Sequence, residues 1–167
     1  NLTVGGNGKT PLAIYLTETL SRIGYSPVVL MRGYGGKKKG PLLVEPGVSS
    51  KDVGDEPILI REQTGRPVVV AKKRVDGAKF IEKNLLGDLI ILDDGFQHRA
   101  LQRMVDLVTI FTGTDEARKA FLNPKLLPVG RFRENRDKAL KRASIVVFAE
   151  RRPLPPEDED KSLETLT

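Results

Sequence analysis

A glycine-rich segment close to the first residue constrains the fold of this chain more than any other feature. The segment reads Gly5-Gly6-Asn7-Gly8-Lys9-Thr10, and an apolar pattern of helical spacing over residues 11–23 follows it directly. Glycines let the backbone turn so that several amide N–H groups face one anion, and the following helix points its positive end at the same anion. The pattern therefore predicts a phosphate loop rather than a simple glycine turn, although Thr3 stands where the usual motif has its first glycine.

The residues of this segment have separate expected roles. Lys9 is expected to reach the β- and γ-phosphates of a nucleotide, and the Thr10 hydroxyl to ligate Mg²⁺. Val4 stands where one subgroup of ATPases has an additional lysine, which argues against that subgroup. The predicted nucleotide-binding residues are Gly5, Gly6, Asn7, Gly8, Lys9, Thr10 and Pro11.

The rest of the chain alternates between strand and helix patterns. Strands are predicted over 28–31, 67–71, 88–93, 106–111 and 144–149, with a short one at 42–45. Helices are predicted over 11–23, 56–63 and 76–86, with Asp55 as a plausible N-cap of the second. The glycine- and lysine-rich segment 33–40 is predicted to be a mobile loop. This alternation indicates an α/β fold, a P-loop NTPase-like parallel sheet flanked by helices.

A second nucleotide element follows the third of these helices. Leu89 to Leu92 are apolar, and Asp93 and Asp94 follow them, as in a strand that delivers a carboxylate to Mg²⁺ beside a phosphate loop. Asp93 is the favoured metal ligand, and Asp94 either shares that role or faces the reacting hydroxyl. No Asn-Lys-x-Asp guanine-recognition motif is present in the sequence, which favours ATP over GTP.

Composition excludes several other classes of protein. The 167 residues include no cysteine and one histidine, so a disulfide scaffold, a cysteine nucleophile and a multi-histidine metal centre are excluded. The net charge of +6 favours an anionic partner. Nucleic acid is not the predicted partner, because tryptophan is absent and no basic–aromatic interleaving provides a stacking platform. The sequence contains no apolar run long enough to span a membrane.

Several further blocks occur in a recognisable order. They are Arg32-Gly33-Tyr34-Gly35-Gly36, Gly54-Asp55-Glu56-Pro57, Asp93-Asp94-Gly95-Phe96-Gln97-His98 and Leu126-Leu127-Pro128-Val129-Gly130. Together with residues 1–11, they resemble the tetraacyldisaccharide 4'-kinase family, the lipid A 4'-kinases of Gram-negative bacteria. The resemblance covers residues 1 to about 150. One departure is Arg131, which stands where the family pattern usually has proline.

The resemblance implies a specific activity and location. Such enzymes transfer the γ-phosphoryl group of ATP, with Mg²⁺, to the 4'-hydroxyl of a tetraacylated glucosamine disaccharide 1-phosphate. They work at the cytoplasmic face of the inner membrane, so the implied partners are the lipid A disaccharide precursor and an anionic membrane surface. We expect residues 1–150 to form the kinase domain and the Pro- and acid-rich residues 151–167 a linker toward a further C-terminal domain. A membrane helix is expected before the phosphate loop.

The resemblance also suggests roles for individual residues. Asp55 becomes the leading candidate for activating the sugar hydroxyl, and Glu56 a candidate Mg²⁺ ligand through water. The predicted catalytic residues are thus Asp55, Lys9, Asp94 and Arg133; the predicted metal ligands are Thr10, Asp93 and Glu56. Predicted substrate contacts are His98, Arg74 and Arg32, each weighed against an ordinary structural or solvated role. The run Lys37 to Lys39 is either part of a solvated loop or a site that attracts anionic lipid headgroups.

Two activities remain as alternatives to the lipid kinase. One is a regulatory P-loop ATPase without a small-molecule acceptor, which the blocks around Asp55 and Asp94 argue against. The other is a nucleic-acid-binding module, which only the net charge suggests.

Overall fold

A computed structural model of the chain describes residues 2–4 and 8–150. Gly5, Gly6 and Asn7 of the predicted phosphate loop, and the predicted linker 151–167, lie outside the described residues. The helices are α1 Lys9–Arg22, α2 Ser50–Val53, α3 Asp55–Thr64, α4 Arg74–Lys83, α5 Asp115–Leu122 and α6 Arg136–Arg142. The strands are β1 Pro27–Met31, β2 Leu42–Leu43, β3 Val68–Val70, β4 Leu89–Leu92, β5 Leu107–Phe111 and β6 Ile145–Ala149. No helix within the described ranges is both long and apolar enough to cross a membrane.

Strand β1 is an inner strand of a four-stranded sheet with the order β2-β3-β1-β4. It runs parallel to both β3 and β4, and Val29 is in register with Val68 on one side and Ile91 on the other. All five residues of β1 are buried, as its continuous apolar sequence predicted for a parallel strand covered on both faces. Strands β5 and β6 form a separate parallel pair.

Strand β2 departs from the predicted parallel arrangement, because it pairs with β3 in the antiparallel sense. Leu42, the first residue of β2, lies opposite Val70, the last residue of β3. After β1 the chain turns at the carboxyl edge of the sheet and re-enters from that same edge. The returning segment must therefore run against its neighbour.

Alternate residues of the sheet pack against different helices. Val29 and Met31 belong to a core with Ala13 of α1 and Ile60 of α3. Val28 and Leu30 belong to a second core with Ile81 of α4. Successive side chains of a strand point to opposite faces, so helices cover both faces of the sheet. A third core lies around β5 and includes Leu2, Phe96, Val108, Ile110, Phe132 and Ala139.

Some local predictions are wrong in detail. Helix α4 begins at Arg74 instead of residue 76 and ends at Lys83, and α2, α5 and α6 were not predicted at all. Asp55 is not the N-cap of α3: it is the first helical residue, and Gly54 occupies the cap position without a side-chain hydrogen bond.

The segment 33–40, predicted to be a mobile loop, is held against its neighbours by backbone hydrogen bonds. The amides of Lys37 and Lys38 donate to the carbonyls of Lys51 and Asp52 at 2.9 and 3.0 Å. The amide of Lys72 donates to the carbonyl of Lys39 at 2.8 Å. Segments before α3 and before α4 are thereby joined to this loop at the carboxyl edge of the sheet.

Candidate active site

The amino end of α1 is arranged to receive an anion. Gly8 is its N-cap, with φ 73° and ψ 20°, a left-handed conformation that glycine adopts without a Cβ penalty. No side chain caps this end within the part of the chain that the structure describes. Uncapped amide groups and the helix dipole leave a partial positive charge there. Pro11 lies in the first turn, where its missing N–H removes no helical hydrogen bond.

Asp94 brings together two cationic side chains from distant parts of the sequence. The Lys9 ammonium lies 3.4 Å from Asp94 Oδ1, and Arg133 Nη1 donates to both carboxylate oxygens at 3.1 and 3.0 Å. Asp94 has a φ of 48°, an uncommon conformation for a residue other than glycine, which aspartate tolerates better than most. The three charged groups form one cluster beside the amino end of α1.

The pKa of Asp94 reflects this cluster. Burial by itself favours the neutral carboxyl and raises the pKa, but the hydrogen bond from Arg133 and the charge of Lys9 outweigh burial. The net effect is a pKa below the ordinary value for aspartate. Asp94 is therefore held as a carboxylate between two cations.

A second group of oxygen atoms lies next to this cluster. The Thr10 hydroxyl donates to Glu56 Oε1 at 3.2 Å, which connects α1 to the first turn of α3. Burial raises the pKa of Asp93; the charge of Lys9 opposes that shift, whereas Asp94 and Glu56 add to it. Thr10, Glu56 and Asp93 therefore share one electrostatic environment. Hydroxyl and carboxylate oxygens are ligands that Mg²⁺ prefers.

Arg74 approaches the same carboxylates from the start of α4. Its side chain is buried, and Nη1 donates to the carbonyl oxygen of Ala71 at 2.8 Å, whereas Nε is buried without a partner among the described residues. Burial lowers the pKa of Arg74, and the charge of Arg32 lowers it further, against the opposing effect of Asp93 and Asp94. The structure thus brings Arg74 within electrostatic range of Asp93 and Asp94, and Arg32 within electrostatic range of Arg74.

Asp55 and His98 have fewer contacts than the other predicted site residues. The Asp55 carboxylate is exposed, and it forms no hydrogen bond or ion pair within the described part of the chain. The backbone amide of His98 donates to the carbonyl oxygen of Gly95 at 2.8 Å. The side-chain Nε2 of His98 is buried and has no hydrogen-bond partner among the described residues. Within the described ranges, neither side chain forms a hydrogen bond or ion pair with Lys9, Asp94 or Arg133.

The structure adds a group of side chains centred on Glu134. Its Oε1 accepts hydrogen bonds from Gln97 Nε2 and Arg142 Nη2, each at 3.0 Å. The Arg142 guanidinium stacks 3.9 Å from the centre of the Phe96 ring and donates to the Phe96 carbonyl. This group connects the segment after β4 to the segment that carries Arg133. The sequence marks Glu134 together with Arg133 as a candidate site residue, whereas no sequence signal marks Arg142.

The fold and these contacts define the class of protein. Helix α1 follows Gly8, has no side-chain cap among the described residues, and presents Lys9 to an aspartate pair at the end of the parallel strand β4. This is the arrangement of a P-loop NTPase-like core. The sequence model of the tetraacyldisaccharide-1-P 4'-kinase family matches residues 1–166. The chain belongs to that family, as the order of its motifs predicted.

Individual relatives agree with this assignment. The tetraacyldisaccharide 4'-kinase of Psychromonas ingrahamii is 47% identical over 136 residues, which are 81% of this chain and 41% of that protein. The enzyme of the same name from Shewanella sediminis is 42% identical over 147 residues, 88% of this chain and 42% of that protein. The chain thus spans about two fifths of the length of these relatives.

A solved structure shares the fold. The crystal structure of LpxK from Aquifex aeolicus in complex with ATP matches with a TM-score of 0.76 and 32% sequence identity. The match covers 94% of this chain and 50% of that one. The predicted P-loop NTPase-like α/β fold is confirmed.

Proposed function

We propose that this chain is the nucleotide-binding core of a tetraacyldisaccharide 4'-kinase. In this reaction the γ-phosphoryl group of ATP is transferred to the 4'-hydroxyl of a tetraacylated glucosamine disaccharide 1-phosphate. Family membership and the names of the relatives support this substrate pair. A solved relative in complex with ATP supports the choice of nucleotide.

The observation that carries the proposal is the meeting of Lys9 and Arg133 on Asp94. Two cations from distant segments lie beside the amino end of a helix, and the single negative charge of Asp94 faces both of them. A triphosphate competes with Asp94 for both cations. Phosphoryl transfer depends mainly on positioning and charge stabilisation, which these groups are able to supply.

The proposed chemistry assigns each group a step. The acceptor 4'-oxygen bonds to the γ-phosphorus, the bond from that phosphorus to the β–γ bridging oxygen breaks, and ADP leaves. The hydroxyl proton passes to the carboxylate of Asp55, which is exposed and unpaired within the described residues and so is available as a base. Lys9 and Arg133 offset negative charge on the transferred group. Arg74, Arg32 and His98 are proposed substrate contacts.

The oxygen donors near Thr10 fit Mg²⁺. The hydroxyl of Thr10 and the carboxylates of Asp93 and Glu56 are hard ligands, and the 3.2 Å hydrogen bond between Thr10 and Glu56 places two of them together. No group of three or more His, Cys, Asp or Glu side chains that could hold a metal by itself occurs in the described ranges. These donors suit a metal that shares its shell with phosphate and water. When bound, Mg²⁺ supplies positive charge to the β- and γ-phosphates.

The proposed acceptor is a lipid, so the proposed place of action is the cytoplasmic face of the bacterial inner membrane. An anionic membrane surface is then the second proposed partner. Nucleic acid is not a proposed partner.

Acceptor dependence of ATP turnover tests the proposal. The intact protein, given ATP and Mg²⁺, is expected to form labelled phosphate ester only when the detergent-dispersed disaccharide acceptor is present. Lys9→Ala is expected to lower this rate by at least about a hundredfold, as for the loss of one group that stabilises transition-state charge. Lys119→Ala removes an exposed lysine from α5 and serves as the matched control.

Two results contradict the proposal in different ways. A near-normal kinase rate for Lys9→Ala contradicts the phosphate-loop assignment. Fast hydrolysis that ignores the acceptor favours the regulatory ATPase instead.

A further inference from the structure

Six lysines from three segments come together at the carboxyl edge of the sheet. We call this set, Lys37, Lys38, Lys39, Lys51, Lys72 and Lys73, the basic surface. The backbone hydrogen bonds that join Lys37 to Lys51 and Lys39 to Lys72 make the three segments direct neighbours. All six residues are exposed. The three segments lie apart in the sequence, so the surface forms only when the chain is folded.

The basic surface is poorly neutralised by its own acidic side chains. Among the residues of the segments 37–39, 51–52 and 72–73, Asp52 is the one acid, and it pairs with Lys38 at 3.1 Å. The other five lysines form no ion pair within the described part of the chain. Charges of one sign at neighbouring positions repel one another, so this arrangement favours an external polyanion.

The loop that carries three of these lysines is closely packed at its base. A Cβ added to Gly36 would lie 2.5 Å from the carbonyl oxygen of Asp52, so glycine permits this contact. Tyr34, in the same loop, is 88% exposed. Tyrosine has an apolar ring and a polar tip, a combination that favours the boundary between lipid headgroups and acyl chains.

We propose that the basic surface and Tyr34 dock this core on an anionic lipid bilayer. The inference rests on the proposed function, which requires a lipid-borne acceptor, and it names the surface that contacts the lipid. Lysines near an anionic membrane strengthen binding about fivefold each. Several of them together therefore give substantial, salt-sensitive binding.

The position of this surface suits delivery of a membrane-borne hydroxyl. The Tyr34 backbone lies against Gly54, where an added Cβ would be 2.3 Å from the Tyr34 carbonyl oxygen. Gly54 immediately precedes Asp55, the proposed base. Docking through the basic surface therefore brings the bilayer to the side of the core on which Asp55 lies.

The chemistry of the surface favours lipid over nucleic acid. The six cations of the basic surface are lysines, which are hydrated point charges; one exposed arginine, Arg32, lies near them at the end of β1. Nucleic-acid recognition relies more on arginine, which supplies planar forks. Tyr34 is a single aromatic side chain, and single-stranded nucleic acid is usually bound on several.

Vesicle binding tests the proposal without requiring kinase activity. The triple variant Lys37→Glu, Lys39→Glu, Lys72→Glu is compared with Lys79→Glu, Lys83→Glu, Lys141→Glu, which changes the net charge equally on α4 and α6. Partition of the intact protein is measured on vesicles of phosphatidylglycerol with phosphatidylethanolamine and on vesicles of phosphatidylcholine alone. The ratio of the two partition coefficients cancels any contribution that does not depend on lipid charge.

The first triple variant is expected to lower that ratio by at least about a hundredfold, since each of three lysines contributes about fivefold and reversal adds repulsion. The control variant is expected to change the ratio much less. Both variants are expected to phosphorylate detergent-dispersed acceptor at the unaltered rate. This last measurement separates failure of the docking proposal from failure of the proposed kinase activity.

Three outcomes overturn the docking proposal. The first is an equal loss of the ratio in both triple variants, which would indicate net charge alone. The second is an unchanged vesicle ratio with a raised KM for ATP, which would indicate that the lysines attract the nucleotide instead of the membrane. The third is an unchanged vesicle ratio with lost binding of a labelled oligonucleotide.

Discussion

Asp93 and Asp94 are adjacent in sequence, yet their environments shift their pKa values in opposite directions. Burial raises the pKa of Asp93, and the charges of Asp94 and Glu56 add to that shift against the opposing charge of Lys9. Asp94 is also penalised by burial, but contacts with Arg133 and Lys9 reverse the shift. At the residue scale, the backbone turn at Asp94, where φ is positive, accompanies this difference between the two carboxylates. Asp94 faces two cations, whereas Asp93 pairs with none among the described residues and is the proposed metal ligand.

Replacing Asp94 by Asn is expected to destabilise the nucleotide-free protein at neutral pH by about 1 kcal/mol, because Lys9 and Arg133 lose their shared counter-ion. The folded-state pKa of Asp94 lies below its unfolded value, so this contribution is present above about pH 4 and is lost as the pH falls through the folded-state pKa. Thermal unfolding in EDTA over a pH series measures the difference. A gap between variant and wild type that does not shrink in acid would contradict the prediction.

Asp93→Asn is expected to act in the opposite direction. The folded-state pKa of Asp93 is raised, so the ionised carboxylate lowers stability once the pH rises above the unfolded value of about 3.9. Removing that charge is expected to raise the melting temperature at pH 7 in EDTA, by roughly 2 to 4 °C for a gain near 1 kcal/mol. The gain should fade as the pH approaches 4, and the variant should lose kinase activity. A lowered melting temperature at pH 7 would show that Asp93 is stabilised by contacts of its own.

Arg142 is expected to position the segment around Arg133 through its contacts with Glu134 and Phe96. Arg142→Met keeps an apolar stem but loses the hydrogen bonds and the stacked charge, so it should lower stability by about 2 kcal/mol. Arg142→Lys, which keeps the charge, should recover part of the loss in urea unfolding. Equal stability of the two variants would assign the effect to side-chain volume.

At the scale of elements, α4 packs unusually closely on β1 through Gly77. A Cβ added there would lie 2.5 Å from Leu30 Cδ1 and 2.8 Å from the Cβ of Ala71. This close packing fixes the position of the first turn of α4, which begins with Arg74. The absence of a side chain at one position sets the distance between the two elements.

Gly77→Ala is therefore expected to destabilise the protein by about 1 to 3 kcal/mol, although alanine is the better helix former. Lys79→Ala, on an exposed position of the same helix, should change stability little. Urea unfolding of the two variants measures the contrast. A stabilised Gly77→Ala variant would mean that α4 moves outward without cost.

Local patterns predicted the elements of the first sheet better than the connections after β5. The apolar runs that became β1 and β3 are buried along their whole length, so continuous hydrophobicity identified them. Helices α5 and α6 are only 8 and 7 residues long, and their clearest signals are the caps Thr114 and Asn135. A cap without a long periodic segment was too weak a signal to predict a helix.

At the scale of the whole molecule, the site lies where parts of the chain with different cores meet. Helix α1, which carries Lys9, packs on the core with Val29 and Ile60, whereas Arg133 follows Phe132 of the core around β5. Asp94 connects the two through its ion pairs. A ligand that binds both cations therefore couples the two regions.

MgATP is expected to stabilise the intact protein by about 2.7 kcal/mol at a concentration one hundred times its Kd. Lys9→Ala and Arg133→Ala should each lose most of this stabilisation at the same concentration, because each removes a proposed phosphate contact from a different region. Thermal unfolding with and without MgATP measures both shifts, with Lys119→Ala as the control. Full stabilisation of Arg133→Ala would place that arginine outside the nucleotide site.

The sequence by itself determined the class of fold, helix α1 after the glycine-rich segment and the acidic end of β4, because these depend on short-range sterics and on burial of local apolar runs. Its ordered motifs also identified the family. Tertiary structure alone decided that Arg133 meets Asp94 across 39 residues, that Glu134 meets Arg142 and Gln97, and that separated lysines form one surface. These contacts depend on how the segments after β1, β3 and β4 cross the carboxyl edge of the sheet. No local pattern encodes that crossing, since it follows from the packing of all the elements together.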